Sequence, residues 1–111
     1  MRSYNPDINA GLDVTYVPVA QGAAGTTILA AAEVDKKHKL LGAVLVMDAA
    51  GTLKFADGVD DLSGPMAIAA NGGFTAPISH FPYTETGAVN QALNLVTTTG
   101  AASGFVVILT E

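Results

Sequence analysis

Hydrophobic and polar residues alternate along several short stretches of the chain. Leu53 and Phe55 stand on either side of Lys54, and the same pattern recurs around Asn94. Because successive side chains of a strand point to opposite faces, a period of two places the apolar residues together on one face. These stretches are therefore predicted to be β-strands with one buried and one solvated face.

Residues that favour turns interrupt the chain about every dozen residues, a spacing typical of sandwiches and barrels. The Ala-rich stretch 22–34 has helical propensity, but its β-branched Thr26-Thr27-Ile28 and its glycines favour a strand. We therefore predict an all-β fold, a single jelly-roll-like β-sandwich of about eight strands. The expected strands lie near Val14–Val19, Thr27–Ala32, Lys39–Met47, Thr52–Ala56, Gly64–Ala69, Ala76–Phe81, Leu93–Thr98 and Gly104–Thr110.

Two of these strands are apolar on both faces, at residues 40–47 and 105–109. In an antiparallel sandwich one face of each strand should be polar. Either these are central strands whose outer face is apolar without a partner, or the second face packs against another subunit. We favour the second interpretation, since such strands exposed to water would aggregate. The residues predicted at the subunit interface are Leu40, Val44, Val46, Val106 and Ile108.

The first 21 residues differ from the rest because they contain Pro6, Pro18 and scattered polar groups, with only a weak strand pattern. We predict an extended N-terminal arm over residues 1–21 and a sandwich domain over residues 22–111. A fully extended arm of this length could reach a neighbouring molecule several contacts away. Its predicted contact residues are Tyr4, Val14, Tyr16, Val17 and Val19.

Composition restricts the classes of function that the chain could have. A chain of 111 residues fits one domain, and 50% hydrophobic with 14% charged residues supply a core and leave apolar surface for a partner. A net charge of −5 disfavours nucleic acid. No apolar run is long enough to span a membrane, and no secretion signal is apparent. Cysteine is absent, which fits assembly in a reducing cytoplasm.

Catalytic and metal-binding motifs are not found in the sequence. His38 and His80 have no zinc-site spacing, and the side chains of Ser79 and His80 would point to opposite faces of a strand. The loop 57–61 has three carboxylates around a glycine but lacks the full EF-hand pattern, so a solvated turn is favoured over a calcium site. We expect no enzyme activity, no metal and no cofactor.

A series of short motifs follows in a loose order from residue 27 to the end of the chain, and no single one is diagnostic. They are Lys39-Leu40-Leu41-Gly42, Asp48-Ala49-Ala50-Gly51-Thr52, Phe55-Ala56-Asp57-Gly58, Leu62-Ser63-Gly64-Pro65, Asn71-Gly72-Gly73, Thr86-Gly87, Ala92-Leu93-Asn94-Leu95 and Ser103-Gly104-Phe105-Val106-Val107. Through these motifs residues 27–111 resemble small β-sandwich proteins that tailed bacteriophages place on their virions, most of all capsid decoration or cement proteins. The first 26 residues lie outside this resemblance.

The resemblance implies a non-enzymatic structural protein, made in the host cytoplasm and bound to the outer capsid surface of the virion. Its implied partners are further copies of itself, as a homotrimer, and the major capsid protein. The N-terminal arm would bind the edge of a capsid subunit or of a sister subunit. An alternative is an adhesion module of a phage tail or spike that binds a host-surface glycan through its loops. Phe81-Pro82-Tyr83 is the best candidate for such a binding tip.

Overall fold

The computed structural model describes residues 13–79 and 81–111, which fold into an all-β sandwich without a helix. These residues accordingly include no helix long and apolar enough to cross a bilayer. The strands are β1 (Asp13–Ala20), β2 (Thr26–Ala30), β3 (His38–Met47), β4 (Gly51–Ala56), β5 (Met66–Ile68), β6 (Gly73–Ala76), β7 (Thr84–Glu85), β8 (Leu93–Thr98) and β9 (Ala102–Thr110).

Two antiparallel sheets form the sandwich. Sheet A has the strand order β1-β9-β3-β6, and β7 also pairs with β3. Sheet B has the order β2-β8-β4-β5. The described residues thus form nine strands where about eight were expected, and β7, of two residues, is the additional one.

The core lies between the sheets and takes alternate residues from each strand. Leu45 of sheet A and Leu95 of sheet B are almost completely buried, and the rings of Phe55 and Phe74 meet across the gap at a centroid distance of 5.8 Å. Full burial of a side chain of this size contributes about 1.5 to 3 kcal/mol. The strand alternation seen around Lys54 is confirmed, since its neighbours on both sides point into this core.

The strand predicted over Ala76–Phe81 is displaced towards the N-terminus. The structure places β6 at Gly73–Ala76, and the chain leaves the sheet at Pro77. Proline has no N–H to donate, so Pro77 and Pro82 cannot continue a ladder of hydrogen bonds. The Ala-rich stretch, in contrast, does form the expected strand, β2.

Part of the predicted arm belongs to sheet A. Asp13–Ala20 form β1, which pairs with β9 from Asp13 opposite Thr110 to Ala20 opposite Ser103. This pairing joins the first described strand to the last, so the sheet begins well before residue 22. Residues 1–12, including Tyr4, lie outside the described residues.

The centre of sheet A is the long β3–β9 pair, which needs glycine at two points. Gly104 has a φ of 144°, and a Cβ there would collide with the Val44 carbonyl oxygen. At Gly42 a Cβ would lie 3.0 Å from Cγ1 of Ile78 and 3.1 Å from its Cα. Glycine therefore lets β9 lie close to β3, and lets the segment after β6 cross over β3.

Candidate interaction surface

A β-bulge determines which residues of β3 face outward. Leu40 pairs with Ile108 and Gly42 with Val107, so Leu41 is an extra residue between two regular pairs. An extra residue shifts the alternation by one position. Even-numbered Leu40 points into the core before the bulge, and even-numbered Val44 points outward after it.

The side of sheet A that faces away from sheet B, here called the outer face, is almost entirely apolar. Its most exposed large side chains are Tyr16 (59%), Val46 (47%), Phe105 (39%) and Val44 (38%), and Ile78 (56%) lies beside them over Gly42. Pairing and burial assign to this face Val14, Tyr16, Pro18, Ala20, Leu41, Val44, Val46, Thr75, Ser103, Phe105, Val107 and Leu109.

Two side chains form a raised aromatic ridge on this face. The rings of Tyr16 and Phe105 stack at a centroid distance of 6.4 Å and an interplanar angle of 27°. They come from neighbouring strands, since Tyr16 pairs with Val107, two residues along β9 from Phe105. Aromatic groups of this type supply much of the binding energy in protein interfaces.

Ionised groups lie at one end of the outer face. Lys39, level with Val14 and Leu109, is bonded to Glu111 at 3.0 Å. Such exposed pairs contribute little to stability, on the order of 0 to 1 kcal/mol. Among the described side chains, the middle of the face is therefore uncharged, and the charges form part of its rim.

The residues predicted for the subunit interface divide between the two sides of sheet A. Val44 and Val46 lie on the outer face, as an interface would need. Leu40, Val106 and Ile108 belong to the core, with at most 1% of their surface exposed. Their assignment to an interface is thus corrected: in β9 the odd-numbered residues point outward, and of these Phe105 is exposed, whereas Val107 and Leu109 are buried in a small cluster with Leu41.

The predicted arm residues are divided in the same way. Tyr16 is exposed on the outer face, and Val14 packs there against the cluster of Leu41, Val107 and Leu109. Val19 is buried in the core, and Val17 packs against it. Val17 and Val19 therefore pack within the sandwich, which corrects their assignment to a partner contact.

The acidic loop after β4 uses its first carboxylate for structure. One oxygen of Asp57 accepts bonds from the N–H groups of Val59 and Asp60, both at 2.7 Å, and the other accepts from Gly87 at 2.9 Å. The Asp60 N–H, followed by those of Gly87 and Val59, holds the pKa of Asp57 below its usual value, although burial acts in the opposite direction. The carboxylate thus fixes a turn.

Within the described ranges no group of three or more His, Cys, Asp or Glu side chains could hold a metal ion.

His38 is buried and bonded on both ring nitrogens. Nε2 lies 2.7 Å from the carbonyl oxygen of Ala31, and Nδ1 lies 2.8 Å from the hydroxyl of Thr110. Because a carbonyl can only accept, Nε2 carries a proton and donates it to Ala31, and Nδ1 is bonded to the Thr110 hydroxyl. The histidine ties the segment after β2 to the end of β9. His80 lies outside the described residues.

The predicted binding tip is a second exposed feature. Phe81 has 83% of its surface exposed, while the Tyr83 hydroxyl donates to the carbonyl oxygen of Pro77 at 2.5 Å. Tyr83 is therefore held against its own loop, and Phe81 projects into solvent. A single projecting ring offers much less contact area than the outer face of sheet A.

No family model matches the chain, and neither a curated protein nor a solved structure matches it. Interpretation of the surface therefore depends on its own geometry. Sequence reasoning missed Phe105 and Ile78 as members of the outer face. The apolar run of residues 105–109 did indicate that both sides of β9 are apolar, but it could not distinguish the two sides.

Proposed function

We propose that this chain is a non-enzymatic structural protein of a phage virion, which binds the outer capsid surface and stabilises the shell as a decoration protein. The observation that carries the proposal is the apolar outer face of sheet A. Folding requires only one buried face per sheet. A second apolar face has a clear use in a protein whose work is assembly.

The jelly-roll topology that we propose for the sandwich is supported by nested strand pairing. β1 pairs with β9, β2 with β8, β3 with β6 and β4 with β5. Nested pairs of this kind arise when one long antiparallel hairpin folds over on itself, so that its successive strand pairs lie alternately in the two sheets. The short strand β7 is an addition to this pattern. Jelly rolls of two Greek keys are frequent in viral capsid and lectin domains.

We further propose a homotrimer that contacts the major capsid protein. Three linked copies bind a shell much more tightly than one, because the second and third contacts form at a high effective concentration. A ligand that binds only the assembled shell stabilises it by mass action, by about 2.7 kcal/mol at a hundred times its dissociation constant. No catalytic residue, cofactor, nucleic acid or membrane takes part in this mechanism.

Shell binding tests the proposal directly. Shells of the phage that encodes the chain would be mixed with the wild type, with Val46→Lys on the outer face, and with Ile28→Lys on the exposed side of sheet B. We expect the wild type and Ile28→Lys to sediment with the shells and raise their melting temperature, and Val46→Lys to bind more weakly. Failure of the wild type to bind shells would refute the decoration role.

A second candidate function, a glycan-binding adhesion module of a tail or spike, is favoured by one observation, the 83% exposure of Phe81. Aromatic rings stack on sugar rings, and lectins also use jelly rolls. This function would be supported if the wild type binds a glycan array and Phe81→Ala does not. If the wild type also fails to bind shells, adhesion would be the function in place of decoration.

A further inference from the structure

Sheet A ends on one side at β1, which among the described strands pairs with β9 alone. The N–H of Gln21, the residue after β1, bonds to the carbonyl oxygen of Ala102 at 2.9 Å. In an antiparallel pair, residues that bond to the partner strand alternate with residues whose N–H and C=O point away from it. The odd-numbered residues of β1 therefore bond to β9, and the even-numbered residues turn their backbone groups away.

These outward backbone groups, of Val14, Tyr16, Pro18 and Ala20, are here called the free edge of β1. Among the described residues no group bonds to them. An edge of this length is a template for a further strand unless lysine, a bulge or proline protects it. β1 has no bulge, and no residue from 14 to 32 is charged. Pro18 lacks an N–H and so limits a ladder at that point, but it leaves Val14 and Tyr16 open to pairing.

The core behind this edge is incompletely covered. Val17 of β1 and Ala30 of β2 pack against the core cluster but are only partly buried. Both lie in strands at the edge of their sheets. A strand added beside β1 would place every second side chain over this gap and the others on the side of the outer face. The free edge therefore fits a strand whose inward side chains are apolar and whose outward ones are polar.

We infer that the free edge of β1 is a binding site for a strand, and that its occupant is the segment of residues 2–8 of the same chain, folded back as a hairpin. The turn is Ala10-Gly11, with glycine at the second central position, where hairpin turns of type I′ need a positive φ. In this register Asn5 faces Tyr16 and Asp7 faces Val14.

The sequence of the segment has the alternation that the edge requires. Polar and apolar side chains follow each other strictly, in the order Ser3, Tyr4, Asn5, Pro6, Asp7 and Ile8. Because Tyr4 faces Val17 in the hairpin register, the apolar set lies on the core side of sheet A. The polar set lies on the solvent side, where it forms a hydrophilic border beside the outer face.

Pro6 distinguishes this register from its neighbour. Opposite Thr15 it belongs to a pair without mutual bonds, so its missing N–H points away from β1. A shift by one residue would place Pro6 opposite Val14, interrupt the ladder, and turn the polar set towards the core. The same chain is also favoured as the source of the strand, because the turn holds residues 2–8 near the edge at a high effective concentration.

Hydrogen exchange of single amides, followed by NMR on the full chain, tests the pairing. In the wild type the N–H of Tyr16 should exchange slowly, because it bonds to the carbonyl oxygen of Asn5. Asn5→Pro should speed this exchange at least about tenfold, since proline has no N–H for the ladder and cannot continue the strand. Asn5→Ala keeps the N–H and is the matched control, in which Tyr16 should exchange as slowly as in the wild type.

The N–H of Val17 is the internal reference. It bonds to β9, so slow exchange there in all three proteins shows that the variants are folded. Exchange of Tyr16 that is equally fast in the wild type and in Asn5→Pro would overturn the inference. Slow exchange that appears only at high protein concentration would assign the edge to a strand of another copy and overturn pairing within one chain. The inference does not rest on the decoration role, and failure to bind shells would leave it unchanged.

Discussion

The outward sides of the two sheets are built from the same strand geometry but differ in chemistry. On sheet B, Lys54 pairs with Asp61 at 3.0 Å, and the hydroxyls of Thr52 and Thr98 bond to each other. At the middle of sheet A the corresponding positions carry Tyr16, two valines and Phe105. Both sheets contribute inward side chains to one buried core, so folding alone does not require this difference. The contrast fits the proposal that sheet A is a contact surface, while the outward side of sheet B carries the polar groups typical of a surface in water.

The largest expected effect distinguishes the two sides of a single strand, β9. Ile108→Ala should lower the free energy of unfolding by about 2 to 5 kcal/mol, because it leaves a cavity in the core. Phe105→Ala on the outer face should lower the free energy of unfolding of the isolated subunit by well under half of that amount. Urea denaturation at a concentration below that of assembly measures both values. Similar losses for the two variants would contradict the assignment of sides.

The next effect concerns the close approach of β9 to β3. Gly104→Ala should destabilise the subunit by about 2 to 4 kcal/mol, since its φ disfavours a side chain and its Cβ would meet the backbone of Val44. Gly22→Ala is the control, because nothing lies within 4 Å of a Cβ at that position. Thermal unfolding of both variants checks the prediction, and an unchanged Gly104→Ala would show that the contact is not required.

A smaller effect is expected in the turn after β4 that Asp57 holds. Asp57→Asn should lose roughly 1 to 2 kcal/mol at neutral pH, because an amide cannot satisfy all three N–H donors. The pKa of Asp57 is lower in the folded protein than its usual value of 3.8. Its stabilising effect is therefore complete above that value and is lost as the pH falls through the lowered pKa.

Urea unfolding of the wild type and Asp57→Asn between pH 7 and pH 2 measures this effect. The difference between them should be constant at neutral pH and shrink in acid. Asp35→Asn, at an exposed position, is the matched control for the replacement of an aspartate by asparagine. A difference that stays the same down to the lowest pH would assign the effect to the shape of the side chain and not to its charge.

The positions of the strands could be predicted from the sequence better than the direction, inward or outward, of their side chains. Turn residues and alternation around Lys54 located most of the strands, because both signals are local. The residues on the outward side of β3 could not be predicted, because the bulge at Leu41 reverses the alternation of inward and outward side chains partway along the strand. In β9 both sides are apolar, so no polar residue marks the outer one.

Features that depend on distant contacts were also beyond the sequence. Residues 13–20 look like an arm because their partner, β9, is the most distant strand in the chain. His38 lies in a lysine-rich run typical of exposed chain, yet it is buried by contacts with Ala31 and Thr110. Neither contact leaves a local pattern that could be recognised.

The central claim, that the outer face of sheet A is a self-association surface, is tested most directly by multi-angle light scattering on the wild type, Phe105→Lys and Ile28→Lys. The account predicts three times the chain mass of 11.2 kDa for the wild type and for Ile28→Lys, and the mass of one chain for a folded Phe105→Lys. A wild type that stays monomeric at micromolar concentration, or a Phe105→Lys variant that associates like the wild type, would contradict it.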